Sequence, residues 1–279
     1  AVGLIMGKGK AYKNVICLGH LLDAKGKKMS KSLGNVVDPW IVIDKYGVDT
    51  IRLWMYSVNQ PGESKNFDEK TVSELHRQFF GLLYNVLAFY ELYRDKNLEN
   101  SERSSSGVNI LDRWIVSRFN ELIENATKNL DDYKLLEPVR AIRDFIDDLS
   151  TWYLRRSRER IKEGDIEAKQ TLYYILKNLI KLMAPFTPFA SEDIWQKLKN
   201  VNDEESVHLV EWPETEKIDS RVIEEMKEVR EVVTLGLQSR QKAGIPVRQP
   251  LQKITIVGEK LEDEYIEILK DELNIKNIV

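Results

Sequence analysis

The sequence predicts a mainly α-helical chain. A short strand and a lysine-rich loop come first, an antiparallel helix bundle follows, and the start of a small αβ module closes it. Three observations carry this. Apolar residues recur at spacings of three and four between Leu111 and Leu182, the helical period. Strand-like apolar runs are confined to Asn14–Gly19 and Leu251–Val257. Charge is uneven: Ala1–Gly34 has seven lysines against Asp23 alone, whereas Val201–Val279 has eleven basic and eighteen acidic residues within a whole-chain net charge of -3. Anion chemistry therefore belongs to the front.

Asn14–Gly19 is expected to be a strand that delivers the loop after it, with Cys17 buried in it as a small hydrophobe. The loop, Lys28-Met29-Ser30-Lys31-Ser32, lies between Gly26 and Gly34, which permit the backbone turns of a phosphate-binding segment. Lysine is a mobile point charge suited to oxygens whose negative charge changes during attack at phosphorus; a solvated turn between two strands is the plain alternative for Lys25, Lys27, Lys28 and Lys31. Asp38 caps the next helix, with Pro39 at its first position and Gly47 after Tyr46. A second helix covers Asp49–Val58 and ends at Gln60-Pro61-Gly62. Trp40, Tyr46, Trp54 and Tyr56 are expected in the core of this segment.

From about Asp68 to Lys199 the pattern is an all-helical bundle. One stripe joins Leu111, Trp114, Ile115, Phe119, Leu122, Ile123 and Ala126; a second joins Val139, Ile142, Ile146, Leu149 and Tyr153; a third joins Leu172, Ile175, Leu176, Leu179 and Leu182. Lys96–Gly107 reads as a loop, and Pro185 and Pro188 break the chain before a helix resumes at Ser191. At 100° per residue, Arg155, Arg158 and Lys162 share one face, while Arg156 and Arg160 continue the second stripe and are placed to meet carboxylates between helices. A solvated helix end complementing its dipole is the plain alternative for the cluster. Trp212-Pro213 is expected to pin the chain across the bundle. Val222–Lys242 is a further helix, and Leu251–Val257 with Glu262–Glu272 begins the αβ module.

The run YKNVICLGHLLDAKGKKMSKSLGN, Tyr12–Asn35, followed by DPWIVIDKYGVDTIRLW, Asp38–Trp54, resembles the end of the catalytic domain of class I aminoacyl-tRNA synthetases. Its KMSKS carries all five letters of one of that class's nucleotide-binding signatures. DDLSTWYLRRSRER, Asp147–Arg160, and GLQSRQKAGIPVRQPL, Gly236–Leu251, are most similar to the isoleucyl members. The resemblance implies three parts: residues 1–67, the end of a Rossmann-type catalytic domain with its connecting helices; 68–200, the anticodon-binding helical bundle; and 201–279, a linker and partial αβ module. It implies ATP with magnesium as the activating pair. Lys28 and Lys31 would stabilise phosphate charge, and Met29, Ser30 and Ser32 would complete the ATP-binding loop. For tRNA contact it implies Arg155, Arg158, Lys162 and Trp152, toward an isoleucine-accepting tRNA. The parent reaction joins isoleucine to ATP and transfers the aminoacyl group to tRNA. A valyl or leucyl ligase, or a tRNA-binding paralogue without catalysis, are the alternatives.

None of His20, His76 and His208 sits in the class's HIGH-type motif, so the chain is expected to be the C-terminal part of a longer enzyme and inactive alone. A single cysteine excludes an internal disulfide and argues against zinc; no metal ligands are assigned. With 31% charged residues, no membrane-length apolar run and no signal-like N-terminus, a cytoplasmic monomer without membrane contact is expected.

Overall fold

The computed structural model describes residues 2–95, 109–256 and 261–279. The chain is mainly helical, as its periodicity predicts. The loop expected over Lys96–Gly107 lies outside the described residues.

The front holds a short helix, α1 (Val2–Ile5), and a parallel pair of two-residue strands, β1 (Leu21–Leu22) and β2 (Lys65–Asn66). The strand expected at Asn14–Gly19 is not formed. Val15 and Leu18 are 62% and 78% exposed, and Cys17, expected inside, is exposed too. An apolar strand persists where neighbouring strands pair its backbone and cover its side chains; among the described residues none lies beside this run. The segment is fixed instead at Gly19, whose N–H donates to the Pro61 carbonyl at 2.9 Å. A Cβ there would lie 2.1 Å from the Glu63 carbonyl oxygen, so only glycine permits this approach.

Two helices follow, α2 (Pro39–Tyr46) and α3 (Val48–Ser57). The Asp38 carboxylate accepts from the Trp40 N–H at 2.9 Å, and Gly47 turns the chain at φ 82°. Trp54 is buried and donates its indole N–H to Thr71 Oγ1 at 2.8 Å, while Tyr46 and Tyr56 are half-buried against the core. Trp40 departs from expectation at 70% exposure. The one buried residue of α2 is Val42, and two residues further along a helix is nearly the opposite face.

In the middle, α4 (Glu69–Leu75) and α5 (Gly81–Tyr93) run on through a π-helical turn, His76–Phe80. Then come α6 (Ile110–Asp131), α7 (Leu136–Asp147), a second π-helical stretch (Asp148–Leu154), α8 (Arg155–Glu163), α9 (Ile166–Met183) and α10 (Pro188–Leu198). All three predicted stripes are buried. They belong to one connected core that continues into the C-terminal elements. Helix α10 begins at Pro188, three residues earlier than expected, because proline suits a first helical position.

Long-range polar contacts join front and middle at helix ends. Thr187 gives α10 no side-chain cap; Asp49 on α3 accepts from the Ala190 N–H at 2.6 Å instead. Arg52 donates to the carbonyls of Pro185 and Phe186 just after α9, and Arg140 to those of Ser57 and Val58 at the end of α3. Guanidinium groups suit these carbonyls because a helix C-terminus carries partial negative charge.

The remainder is α11 (Ser220–Lys242), β3 (Leu251–Ile254), α12 (Asp263–Leu273) and β4 (Ile275–Ile278), with β3 and β4 parallel. Val257, expected at the end of the first strand, lies outside the described residues. Trp212 donates to Thr127 Oγ1 at 2.9 Å and Pro213 is buried, so the pair pins the linker to α6 as expected. Arg240 is 4% exposed and donates to the carbonyls of Pro246, Gln249, Leu273 and Asn274. Among the described residues no helix is long and apolar enough to cross a membrane.

Candidate functional site

The lysine loop starts from β1 and is shaped by two side chains that its motif does not include. Asp23 Oδ1 accepts from the backbone N–H groups of Lys25 and Lys27 at 2.9 and 2.8 Å, rounding a turn with Gly26 at φ 75°. Asn35 spans the loop: its carbonyl oxygen accepts from the Ser30 N–H at 2.9 Å, and its amide donates to Asp23 Oδ2 at 2.9 Å and to the Lys28 carbonyl at 3.3 Å. These contacts, with the Asn35 bond foremost and the Lys27 N–H next, hold the Asp23 carboxyl below its ordinary range. The sequence offered a signal for both residues, since Asp and Asn commonly bond nearby backbone in turns.

Between these anchors, Lys31–Leu33 forms a 3₁₀ turn closed by Gly34 at φ 64°. The Ser30 and Ser32 hydroxyls lie 2.7 Å apart. Met29 is half-buried against the core, whereas Lys28 and Lys31 are exposed. Among the described residues neither lysine has a carboxylate partner. Two unpaired ammonium groups and two hydroxyls on a loop closed by its own side chains fit a polyphosphate anion: the cations are unneutralised and the backbone is ordered beforehand.

The second group surrounds the π-helical stretch Asp148–Leu154 and the first turns of α8. The face assignment made from helical period holds for Arg160, whose Nη2 donates to the buried Asp112 at 2.7 Å and whose Nε donates to Asp165 at 2.9 Å. Asp112 also accepts from the Tyr153 hydroxyl at 2.6 Å. Burial pushes the Asp112 carboxyl up, opposed by Arg160. Arg156 is likewise turned inward and donates to Glu272 and Asp271 on α12.

Arg155 is half-exposed, its guanidinium 5.6 Å from the Trp152 ring centre. Arg158 is exposed and lies 5.3 Å from the Phe89 ring centre, and Phe89 packs on Tyr93 with centroids 4.8 Å apart. Lys162 pairs with Glu159 at 2.8 Å. Trp152 is not placed as a stacking surface: it is 7% exposed, with Arg155, Arg156 and Arg230 of α11 all over its ring. It sits at the boundary between the apolar stripe and the basic face, and α11 brings the group that covers it. Arg230 also donates to Asp148 at 2.6 Å and lies 5.7 Å from the Trp114 ring centre. Sequence periodicity could find neither Phe89 nor Arg230, since both arrive from other helices.

Residues 112–256 match the family described as the anticodon-binding domain of tRNA ligase, and residues 1–68 match the class I tRNA synthetases of the I, L, M and V group. Isoleucine–tRNA ligases from Dehalococcoides mccartyi and Clostridium acetobutylicum are each 42% identical, over 99% and 96% of this chain and 29% and 27% of their own lengths. That of Deinococcus radiodurans is 37% identical over 100% of this chain and 27% of its own. The chain thus spans under a third of the length of these curated relatives. The fold resembles a LeuRS from Agrobacterium radiobacter K84 solved with tRNA and LeuAMS, at a TM-score of 0.55 and 22% identity over 74% of this chain and 24% of that one. It also resembles the methionyl-tRNA synthetase of Mycobacterium tuberculosis, at a TM-score of 0.54 and 20% identity over 70% of this chain and 41% of that one. The match over more than half its length, with class I sequence ahead of it, shows that the chain belongs to the anticodon-binding-domain family of class I tRNA ligases.

Proposed function

We propose that the chain is part of an isoleucine–tRNA ligase, contributing the loop that grips ATP and the domain that binds the anticodon arm of an isoleucine-accepting tRNA. In this reading residues 1–67 are the end of a Rossmann-type catalytic domain, 68–200 an antiparallel anticodon-binding bundle, and 201–279 a linker with a partial αβ module. The observation that carries the catalytic half is the pair of unneutralised lysines, Lys28 and Lys31, on a loop ordered by Asp23 and Asn35.

Lys31 and Lys28 meet the non-bridging oxygens of ATP and stabilise negative charge as the isoleucine carboxylate attacks phosphorus and pyrophosphate leaves. Ser30 and Ser32 supply hydroxyl contacts, and Met29 seats the loop on the core. Magnesium accompanies the triphosphate, neutralising phosphate charge through oxygen ligands. Arg155, Arg158 and Lys162 face the RNA, with Trp152 beneath Arg155 as its support. Guanidinium planes both pair with phosphates and stack on unpaired bases, the features by which proteins read single-stranded RNA. The parent ligase works as a cytoplasmic monomer, and this chain alone does not activate isoleucine.

Lys31→Ala in the full-length ligase tests the catalytic half. Isoleucine-dependent pyrophosphate exchange should fall about a hundredfold with little change in isoleucine KM, the signature of lost transition-state charge stabilisation. Unchanged exchange would reject the assignment. Titrating the chain at one salt concentration with isoleucine tRNA and with the same tRNA carrying a swapped anticodon tests the other half. Equal affinities would reduce it to a generic RNA-binding surface.

A further inference from the structure

Glu272 lies on α12, more than a hundred residues beyond the basic helix, yet it holds two of that helix's arginines. Its carboxylate is 9% exposed and accepts from Arg155 Nη2 at 2.7 Å and from Arg156 Nη1. Arg156 is inside and takes Asp271 as a further partner, so both its Nη groups are spent on docking α12. Arg155 differs. Its Nε donates to the Thr151 carbonyl at 2.8 Å and its plane covers Trp152, but its side chain remains 51% exposed, with the Nη1 donors unclaimed among the described residues. A flexible side chain is thus tied at three points while one donating edge faces outward.

We infer that Glu272 is a positioning residue for RNA binding: the αβ module holds Arg155 in the orientation in which its free edge donates to tRNA, so module and bundle bind RNA as one unit. The inference rests on the tRNA-binding reading above. Its physical basis is preorganisation. An arginine fixed before binding loses less side-chain entropy on contact than one that must be ordered by the ligand.

The test is a titration of the whole chain with isoleucine tRNA at one salt concentration, comparing Glu272→Ala, Glu272→Gln, Arg155→Ala and the Glu272→Ala/Arg155→Ala double variant. Glu272→Ala should weaken binding about threefold to tenfold, the worth of one immobilised long side chain. Glu272→Gln, whose amide oxygen still accepts from Arg155, should keep most of the affinity. In the Arg155→Ala background the second substitution should add nothing. If Glu272→Ala undocks α12, seen as a lower melting temperature, Arg155→Lys carries the test, because it keeps the charge and loses the fixed fork. Arg155→Lys binding as tightly as the unaltered chain would overturn the inference. So would a Glu272→Ala loss that persists in the Arg155→Ala background, or tighter binding by both Glu272 variants, which would make the carboxylate a competitor of phosphate. Failure of the unaltered chain to bind tRNA at all would overturn the tRNA reading, and this inference with it.

Discussion

The side-chain amide of Asn35 donates to the Asp23 carboxylate at 2.9 Å, across twelve residues, and closes the lysine loop on itself. Neither residue belongs to the KMSKS run, yet between them they accept from the backbone of Lys25, Lys27 and Ser30. The motif is therefore displayed on a loop whose order comes from its flanks.

Asn35→Ala should loosen the loop without unfolding the bundle. Losing the bond to the Ser30 N–H is expected to speed hydrogen exchange there about fivefold, the scale of one net hydrogen bond. Because the Asp23 carboxyl is held below its ordinary value of 3.8, its contribution is complete above that pH and is lost as pH falls through the lowered value. Exchange at Lys27 in the unaltered chain should accordingly be constant from pH 5 upward, after correction for the intrinsic rate. A midpoint near neutrality would contradict the role given to Asp23.

Gly19→Ala should unzip β1 from β2. The added Cβ would meet main chain at Glu63 and Ser64 rather than the yielding end of a side chain. Strain of this kind costs about 1–3 kcal/mol. Faster exchange of the Lys65 and Phe67 N–H groups, which donate to His20 and Leu22, would report it, with α9 amides unchanged.

Asp49→Asn should stabilise the chain near neutral pH. Asp49 is 7% exposed, and burial pushes its carboxyl up against the pull of the Ala190 and Phe189 N–H groups. With the folded-state pKa above the unfolded value of 3.8, the charged form penalises folding above the raised value, and the penalty vanishes below 3.8. Asparagine keeps an oxygen for the Ala190 N–H without the charge. Its melting temperature should exceed that of the unaltered chain at pH 7 and converge with it as pH falls below 3.8. A difference that does not vary with pH would assign the effect to packing.

Arg240→Met should release the C-terminal module while leaving the bundle folded. The substitution takes the guanidinium donor from the buried Leu273 carbonyl and leaves the Asn274 carbonyl only the Leu251 N–H, a loss of about 2–3 kcal/mol for hydrogen bonds to a charged group. Exchange at Leu251 and Ile256, whose N–H groups donate to Asn274 and Val279, should rise while Ile115 and Phe119 remain protected.

Local signals were the legible ones. Leu111–Ala126 reads as a helix because its burial repeats at the helical period, and the Asp38-Pro39 start and Gly47 stop of α2 are caps formed by adjacent residues. Where neighbours from elsewhere decide, the sequence misled: Asn14–Gly19 is apolar enough for a strand but has no strand beside it among the described residues, and Trp40 is aromatic but lies on the face of α2 opposite Val42. Both π-helical stretches escaped notice, since the 3.6-residue period was assumed to run through them.

By itself the sequence determined the position of the lysine motif, the buried stripes of the α-helices and the face on which Arg155, Arg158 and Lys162 stand, because each depends on residues within a few positions of one another. Tertiary structure alone decided which partners the side chains around that face meet. Arg155 meets Glu272 across 117 residues, Arg160 meets Asp112 across 48, and Trp152 is covered by Arg230 from α11. The physical reason is the range of the interactions. Backbone periodicity and capping act within a turn or two, whereas burial of a ring or neutralisation of a guanidinium depends on which distant helix the core brings against it.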